Sequence, residues 1–226
     1  MSDDPYRSLN LSYVSGDDPQ LVRANRARVM DALGARLESW TSGRQIHGSA
    51  VARVTARERG SGADVPGSTI PDTDALWTDE PGTALAVLTA DCVPLLLADP
   101  ARRRIGVVHA GWRGLVAGVI ERAVEAMGEP GVLDATIGPA IGPCCYEVGD
   151  EVASEAAAAL GDDVVRDGPR GRLHLDLWRG GLDALRRAGV HAVRLAGLCT
   201  RCEPHRFFSH RAGDAGRQGL IVSLEP

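Results

Sequence analysis

The chain has 226 residues, a formal charge of −5 and a pI near 5.7, a balance that argues against a generally basic nucleic-acid binder. It is 44% hydrophobic but carries only two Phe and three Tyr, so Leu, Val, Ala and the four Trp must build its core. All 25 basic residues are Arg. The lack of Lys excludes Schiff-base lysine chemistry and a Walker-type phosphate loop, and leaves Arg, backbone N–H groups or a metal to hold anions.

Met-Ser-Asp-Asp-Pro-Tyr at the start has neither the basic nor the apolar region of a signal peptide. Residues 19–34 read as a helix, with Asp18 as its cap, Pro19 in its first turn and Val22, Val29 and Leu33 on one face. Val51 to Ala56 alternates as a strand does, and Gly60 to Thr73 is a surface loop rich in Gly, Ser, Pro and Asp. Ala84–Leu88 and Pro94–Ala98 are apolar runs of strand length, and the whole stretch from Ala84 to Ala98 is too short to span a bilayer. Ala101–Arg104 is a charged turn before the short strand Ile105–His109.

Leu115 to Met127 gives the clearest helical spacing, through Leu115, Val119, Ile120, Val124 and Met127. Leu133–Ile137 is a strand running into Gly-Pro-Ala-Ile-Gly-Pro-Cys-Cys-Tyr, a fixed-shape loop. Asp150–Leu160 and Leu175–Ala188 are helices, and Val193–Leu198 and Leu220–Leu224 are strands. Strands and helices interleave without a repeat or linker. The economical reading is one α/β (α+β) domain over 1–226, with mixed β-sheets flanked by helices.

Three residues suited to a soft metal end or follow short apolar runs: His47, Cys92 and His109. Such a set fits a zinc site with an open fourth position. It equally fits a cysteine nucleophile with a histidine base. Taken singly, a Cys of this kind is more often core filler, and a lone His at a strand end is more often structural. Context lifts them: His109 precedes Ala-Gly-Trp-Arg-Gly and then a helix, a turn that offers N–H groups to an anion with Arg113 inside it.

His191 reads as surface and His174 as ambiguous, while His205 and His210 flank Phe207-Phe208. Cys199-Thr-Arg-Cys202 has the spacing of a metal half-site or redox pair, and closing such a site would take two of His205, Cys144 and Cys145. The reading preferred is two unrelated thiols there, with Cys144-Cys145 as loop packing. Five Cys without an export signal suggest free thiols in a reducing, cytoplasmic compartment. His-x-His pairs, a Gly-x-Ser-x-Gly elbow and a dinucleotide fingerprint are all missing, so several coppers cannot be held in the manner of a true multicopper oxidase.

In order, Ser8-Leu9-Asn10-Leu11, Gly16-Asp17-Asp18-Pro19 with Asn25-Arg26, Gln45-Ile46-His47-Gly48, Asp74-Ala75-Leu76, Thr89-Ala90-Asp91-Cys92-Val93-Pro94, His109 through Gly114, Ile137 through Gly149, and Cys199-Thr200 with Phe207 through Arg211 resemble the YfiH/laccase-domain family. That family is also described as multicopper polyphenol oxidase or purine nucleoside phosphorylase. The resemblance implies a sandwich-like fold with mixed sheets, similar to the cytotoxic necrotizing factor catalytic domain. It implies zinc held at His47, Cys92 and His109, and phosphorolysis of adenosine, inosine, guanosine and methylthioadenosine to base and sugar 1-phosphate, with adenosine deamination as a second activity. Purine nucleoside and phosphate are then the partners, with no nucleic acid, membrane or obligate protein partner. The family usually has an Arg-x-Gly-Gly-Val-Ser segment before Ser-Leu-Asn-Leu, where seven residues precede Ser8 here, and most relatives are expected to lack Cys202.

Zinc would lower the pKa of water towards about 7 for attack on the purine C6, with Asp91 and Glu147 as candidate proton carriers. Arg113, Arg211 and the helix N-terminus after Gly114 are the candidates for phosphate. The alternatives are a metal-free hydrolase or amidase with Cys92 as nucleophile and His109 as base, and a copper-dependent phenol oxidase, since copper(II) outranks zinc at N/S sites.

Overall fold

The chain order places a helix or a turn after almost every strand, and a computed structural model describes residues 1–225. The elements are α1 (Pro19–Ala32), β1 (Trp40–Ser42), β2 (Val51–Arg53), β3 (Ala75–Thr78), β4 (Thr83–Thr89), β5 (Val93–Asp99), β6 (Arg104–Ala110), α2 (Trp112–Val116), α3 (Val119–Met127) and β7 (Asp134–Ile137). They continue with β8 (Glu147–Val148), α4 (Asp150–Leu160), β9 (Val165–Asp167), β10 (Leu173–Leu175), α5 (Leu177–Arg187), β11 (Ala192–Leu195) and β12 (Gln218–Leu224). A mixed six-stranded sheet runs β11-β7-β5-β6-β3-β2, a second sheet runs β1-β4-β12, and a small antiparallel sheet runs β8-β10-β9.

Period-2 alternation builds the layers. In β4, Leu85 and Val87 face Leu76, Val107 and Leu224 between the two larger sheets, while Ala84 and Ala86 face Met30, Leu37 and Trp40 under α1. Because both faces of β4 are covered, it reads as a continuous apolar run and not as an alternating one. On the far side of the six-stranded sheet, Val93, Leu95, Leu97 and Val108 pack with Ile120, Val124 and Met127 of α3 and Ala184 and Leu185 of α5. The order is helix, sheet, sheet, helix.

Several expectations shift in detail. The helix expected over Leu115–Met127 is two, broken at Gly118, whose φ of 76° is left-handed and ends α2 before α3 begins. Gly114 therefore lies inside α2, a five-residue helix starting at Trp112, and the next helix N-terminus, that of α3 at Val119, is buried and does not line the cleft. The buried face of α1 is Val22, Asn25, Arg26 and Met30, while Leu33 is 43% exposed. Asp18 does cap α1, its side chain accepting from Gln20 N. The strand expected over Val51–Ala56 stops at Arg53, and α5 starts only at Leu177, where Asp176 accepts from Arg179 N. β1, β3, β8, β9 and β10 are short and carry no alternation long enough to read.

Candidate metal centre and cleft

Antiparallel pairing brings the first two residues of interest together. Cys92 immediately precedes β5 and His109 is the penultimate residue of β6; the register pairs Val93 with Ala110 and Pro94 with His109. His47 reaches the same point on the loop after β1. Gln45 anchors that loop to the edge of β4, its amide donating to Leu88 O at 2.7 Å while its oxygen accepts from Leu88 N at 2.8 Å. Three donor atoms, one each from His47, Cys92 and His109, lie within 4.8 Å of one another. The two imidazoles meet edge to face, with centroids 4.8 Å apart.

Asp74 organises this cluster. It precedes β3, which pairs with β6, so its carboxylate arrives beside His109 with 1% exposure. It accepts from the backbone N–H groups of Ile46 (3.1 Å), His47 (3.0 Å) and Gly48 (2.9 Å). Those three bonds hold the His47 loop, in which His47 itself has a φ of 61°. Asp74 Oδ1 also lies 2.8 Å from His109 Nδ1. A carboxylate there assigns the proton to Nδ1 and leaves Nε2 free towards the cluster, the arrangement that orients histidine ligands in metal sites.

Gly111 leaves the room. A Cβ at this position would lie 2.9 Å from His47 Cδ2 and 3.0 Å from Cys92 Sγ. Electrostatics couple the three. Burial raises the Cys92 thiol, yet the charge of His109 and hydrogen bonds from both histidines bring it down to about 6. Burial works against a charged His109, but the Cys92 charge and Asp74 lift it to about 9. Burial likewise opposes the Asp74 charge, and the bonds from His109, Gly48 and Ile46 override it to hold the carboxyl below its usual range. Two imidazoles and an ionisable thiolate at this spacing are donors that suit a borderline-soft ion.

The cluster opens on a cleft of about 730 Å³, within the range of small-molecule sites. Arg113 and Arg211 both line it. The Arg113 guanidinium stacks on Trp112 at 4.5 Å; that of Arg211 stacks on Tyr146 at 4.6 Å and donates to Glu147 O at 2.6 Å. His210 lines the cleft as well, while His205 and His191 are exposed elsewhere and His174 is buried, its Nδ1 lying 2.6 Å from Pro143 O.

Of the two expected proton carriers, Asp91 lines the cleft with both oxygens engaged, Oδ1 by the Thr200 hydroxyl at 2.6 Å and Oδ2 by Arg211 N at 2.7 Å. Glu147 lies in an adjoining recess with Arg172, whose Nε is 3.6 Å away. Two residues that sequence reasoning passed over matter more. Asp74 sits directly before a short apolar strand, within one of the segments that carry the family resemblance, but neither signal shows its role. Tyr146 closes the Gly/Pro loop and lines the cleft, and burial, helped by the Cys92 charge, pushes its phenol up so that it stays a donor.

The thiols expected to be unrelated are not so placed. One sulfur each from Cys144, Cys145, Cys199 and Cys202 lies within 4.8 Å of the others. The loop after β7 runs back alongside the segment after β11, linked by a bridge between Ala140 and Cys199.

Residues 1–225 match the family described as multi-copper polyphenol oxidoreductase laccase. The chain is 37% identical to a Geobacillus stearothermophilus protein named purine nucleoside phosphorylase YlmD, across 97% of this chain and 84% of that protein. It is also 37% identical to a protein of an unknown prokaryotic organism named adenosine deaminase RL5, across 91% of this chain and 82% of that one. The crystal structure of Bacillus licheniformis hypothetical protein YfiH superposes with a TM-score of 0.94 at 34% identity, covering 100% of this chain and 89% of that one. With a match from end to end and fold and sequence in agreement, the chain belongs to this laccase-like YfiH family.

Proposed function

We propose that the chain is a zinc-dependent purine nucleoside phosphorylase with adenosine deaminase activity, centred on His47, Cys92 and His109. The observation that carries this is the convergence of those three residues, braced by Asp74, at a cleft of nucleoside size. Relatives bearing both activity names support it. The donor set fits the metal: two nitrogens and a sulfur, with Nε2 of His109 freed by Asp74 and Gly111 clearing the space beside them. When bound, zinc supplies Lewis acidity to a substrate atom at the open position.

The chain's own residues do the rest. In phosphorolysis a phosphate oxygen bonds to the ribose C1′ while the C1′–N9 bond breaks, its electron pair leaving with the purine. Arg113 and Arg211 hold and orient the phosphate from the cleft wall. Tyr146, which lines the cleft and is kept protonated by burial, would donate to the departing base. For deamination no anion need be held, so the arginines are not required. The reading makes nucleoside and phosphate the only partners and places the enzyme in the cytoplasm, in keeping with five free thiols. Among the described residues, no helix is long and apolar enough to cross a membrane.

The Cys92–His109–Asp74 line also fits a second reading, a metal-free thiolate hydrolase. One experiment separates the two. Protein purified without added metal is assayed with inosine or adenosine, with and without phosphate, before and after chelation, alongside its metal content. We expect base and ribose 1-phosphate only with phosphate, inosine from adenosine without it, and loss of both products on chelation. Full activity in zinc-free protein rejects the zinc reading, and a covalent Cys92 adduct with electrophilic amides or esters establishes the hydrolase.

A further inference from the structure

We infer that Cys144, Cys145, Cys199 and Cys202 form a second, four-thiolate zinc site that fastens one wall of the cleft. The inference does not depend on the reading of the His47–Cys92–His109 centre, since the two clusters share no residue.

Geometry carries it. Cys202 Sγ lies 3.6 Å from Cys144 Sγ and 3.5 Å from Cys145 Sγ, and sulfurs from all four fall within 4.8 Å of one another. Four thiolates around a tetrahedral zinc, with Zn–S bonds of about 2.3 Å, sit roughly 3.8 Å apart. The two Cys202 separations are close to that edge length, the rest fall within 4.8 Å, and none of the four is in a disulfide. Neighbouring N–H groups are arranged for thiolate. Gly142 N–H donates to Cys199 Sγ at 3.2 Å, and the backbone of Cys202 also favours the ionised Cys199. Gly142 has no room for a side chain, since a Cβ there would lie 2.7 Å from Trp178 and 3.2 Å from Cys144 Sγ.

The donors match zinc chemistry too. Two come from a Cys-x-x-Cys turn and two from adjacent residues of a Gly/Pro loop, giving an all-sulfur set with no open position. Cys144 and Cys202 are exposed, so the ion has a way in from solvent.

The consequence reaches the cleft by two paths. Tyr146 follows Cys145 directly. Thr200 lies between the two Cys of the turn, with its hydroxyl on Asp91 Oδ1 at 2.6 Å, and Asp91 in turn accepts from Arg211 N. Zinc here would clip two segments distant in sequence and hold Tyr146 and Arg211 in place without touching substrate.

The test is metal counting with cobalt spectroscopy on the full chain, purified under reducing conditions. We expect wild type to hold one more zinc equivalent per chain than Cys202→Ser or Cys144→Ser, both exposed positions. Cobalt-loaded wild type and Cys92→Ser should both show the intense sulfur-to-cobalt charge transfer and visible bands of a tetrahedral four-thiolate site. Cys92→Ser disables only the other centre, so loss of that reading leaves this one standing. If Cys202→Ser fails to fold, the Cys92→Ser spectrum decides alone. Folded, zinc-loaded wild type whose four thiols all react promptly with a thiol reagent, an iron ion in place of zinc, or a disulfide among these cysteines in reduced-purified protein would each overturn the assignment.

Discussion

Replacing Gly111 by Ala tests the centre with a single methyl group. The backbone at Gly111 has φ −76° and ψ 175°, which any residue adopts, so the substitution adds no backbone strain. The new Cβ would lie 2.9 Å from His47 Cδ2 and 3.0 Å from Cys92 Sγ, where non-bonded atoms prefer about 3.5–4.0 Å. One or both side chains must withdraw by about half an ångström or more, whereas metal–ligand distances tolerate about 0.2 Å. His47 is exposed and can swing outward, so the fold should lose no more than about 1 kcal/mol, the lower end of overpacking costs. Changes one shell further out lower metal affinity by about 10–100-fold, so displacement of a ligand should cost at least about 100-fold. Competition with a chromophoric chelator gives the affinity and urea unfolding of the metal-free protein gives the stability. Gly131→Ala is the control, because nothing lies within 4 Å of its Cβ. Wild-type zinc affinity in folded Gly111→Ala would refute the idea that His47 and Cys92 share one ion.

Asp74→Asn should put an amide donor against N–H donors it now accepts from, costing about 1–3 kcal/mol in urea unfolding and about 10–100-fold in metal affinity. Arg113→Met should raise KM for phosphate by about 10–100-fold, the worth of one charge-assisted hydrogen bond, and leave deamination of adenosine unchanged in steady-state assays. Burial, opposed by Arg26 and aided by Asp64, raises the Tyr13 phenol. The folded state therefore keeps its proton longer than the unfolded chain, and stability should fall as pH rises above about 10. Tyr13→Phe should remove one of the late components of the tyrosinate absorbance titration, leaving that of Tyr146, and flatten the alkaline decline in melting temperature; an unchanged titration would count against the assignment.

The long buried elements were legible because their side chains repeat: α4 falls on the expected Asp150–Leu160, and β4 and β5 lie within two residues of the expected runs. The break at Gly118 was not, since the apolar spacing of Leu115 through Met127 continues across it and only the left-handed glycine reveals the corner. The three residues of the centre could be named from their positions beside strands and from the family resemblance. Asp74 could not be given its role, because that role depends on β3 pairing with β6, a contact 35 residues apart in the chain. The thiol cluster was named as an option but not preferred for the same reason: spacing showed a pair at 199 and 202, but only the fold brings the adjacent pair at 144 and 145 against it.

Cys92 sits where the chain leaves one large sheet for the other: β4 belongs to the three-stranded sheet, β5 to the six-stranded one, and Ala90-Asp91-Cys92 turns the corner between them. His109 belongs wholly to the six-stranded sheet, and His47 hangs from a loop tied to β4. The six-stranded sheet alone would bring Cys92 beside His109 but leave the His47 loop without its tie to β4. During refolding from denaturant, recovery of backbone structure should therefore run ahead of metal capture, and capture should coincide with the docking of the two sheets. On the proposed reading, the three donors come together only once the two sheets have docked, so an ion would be captured last.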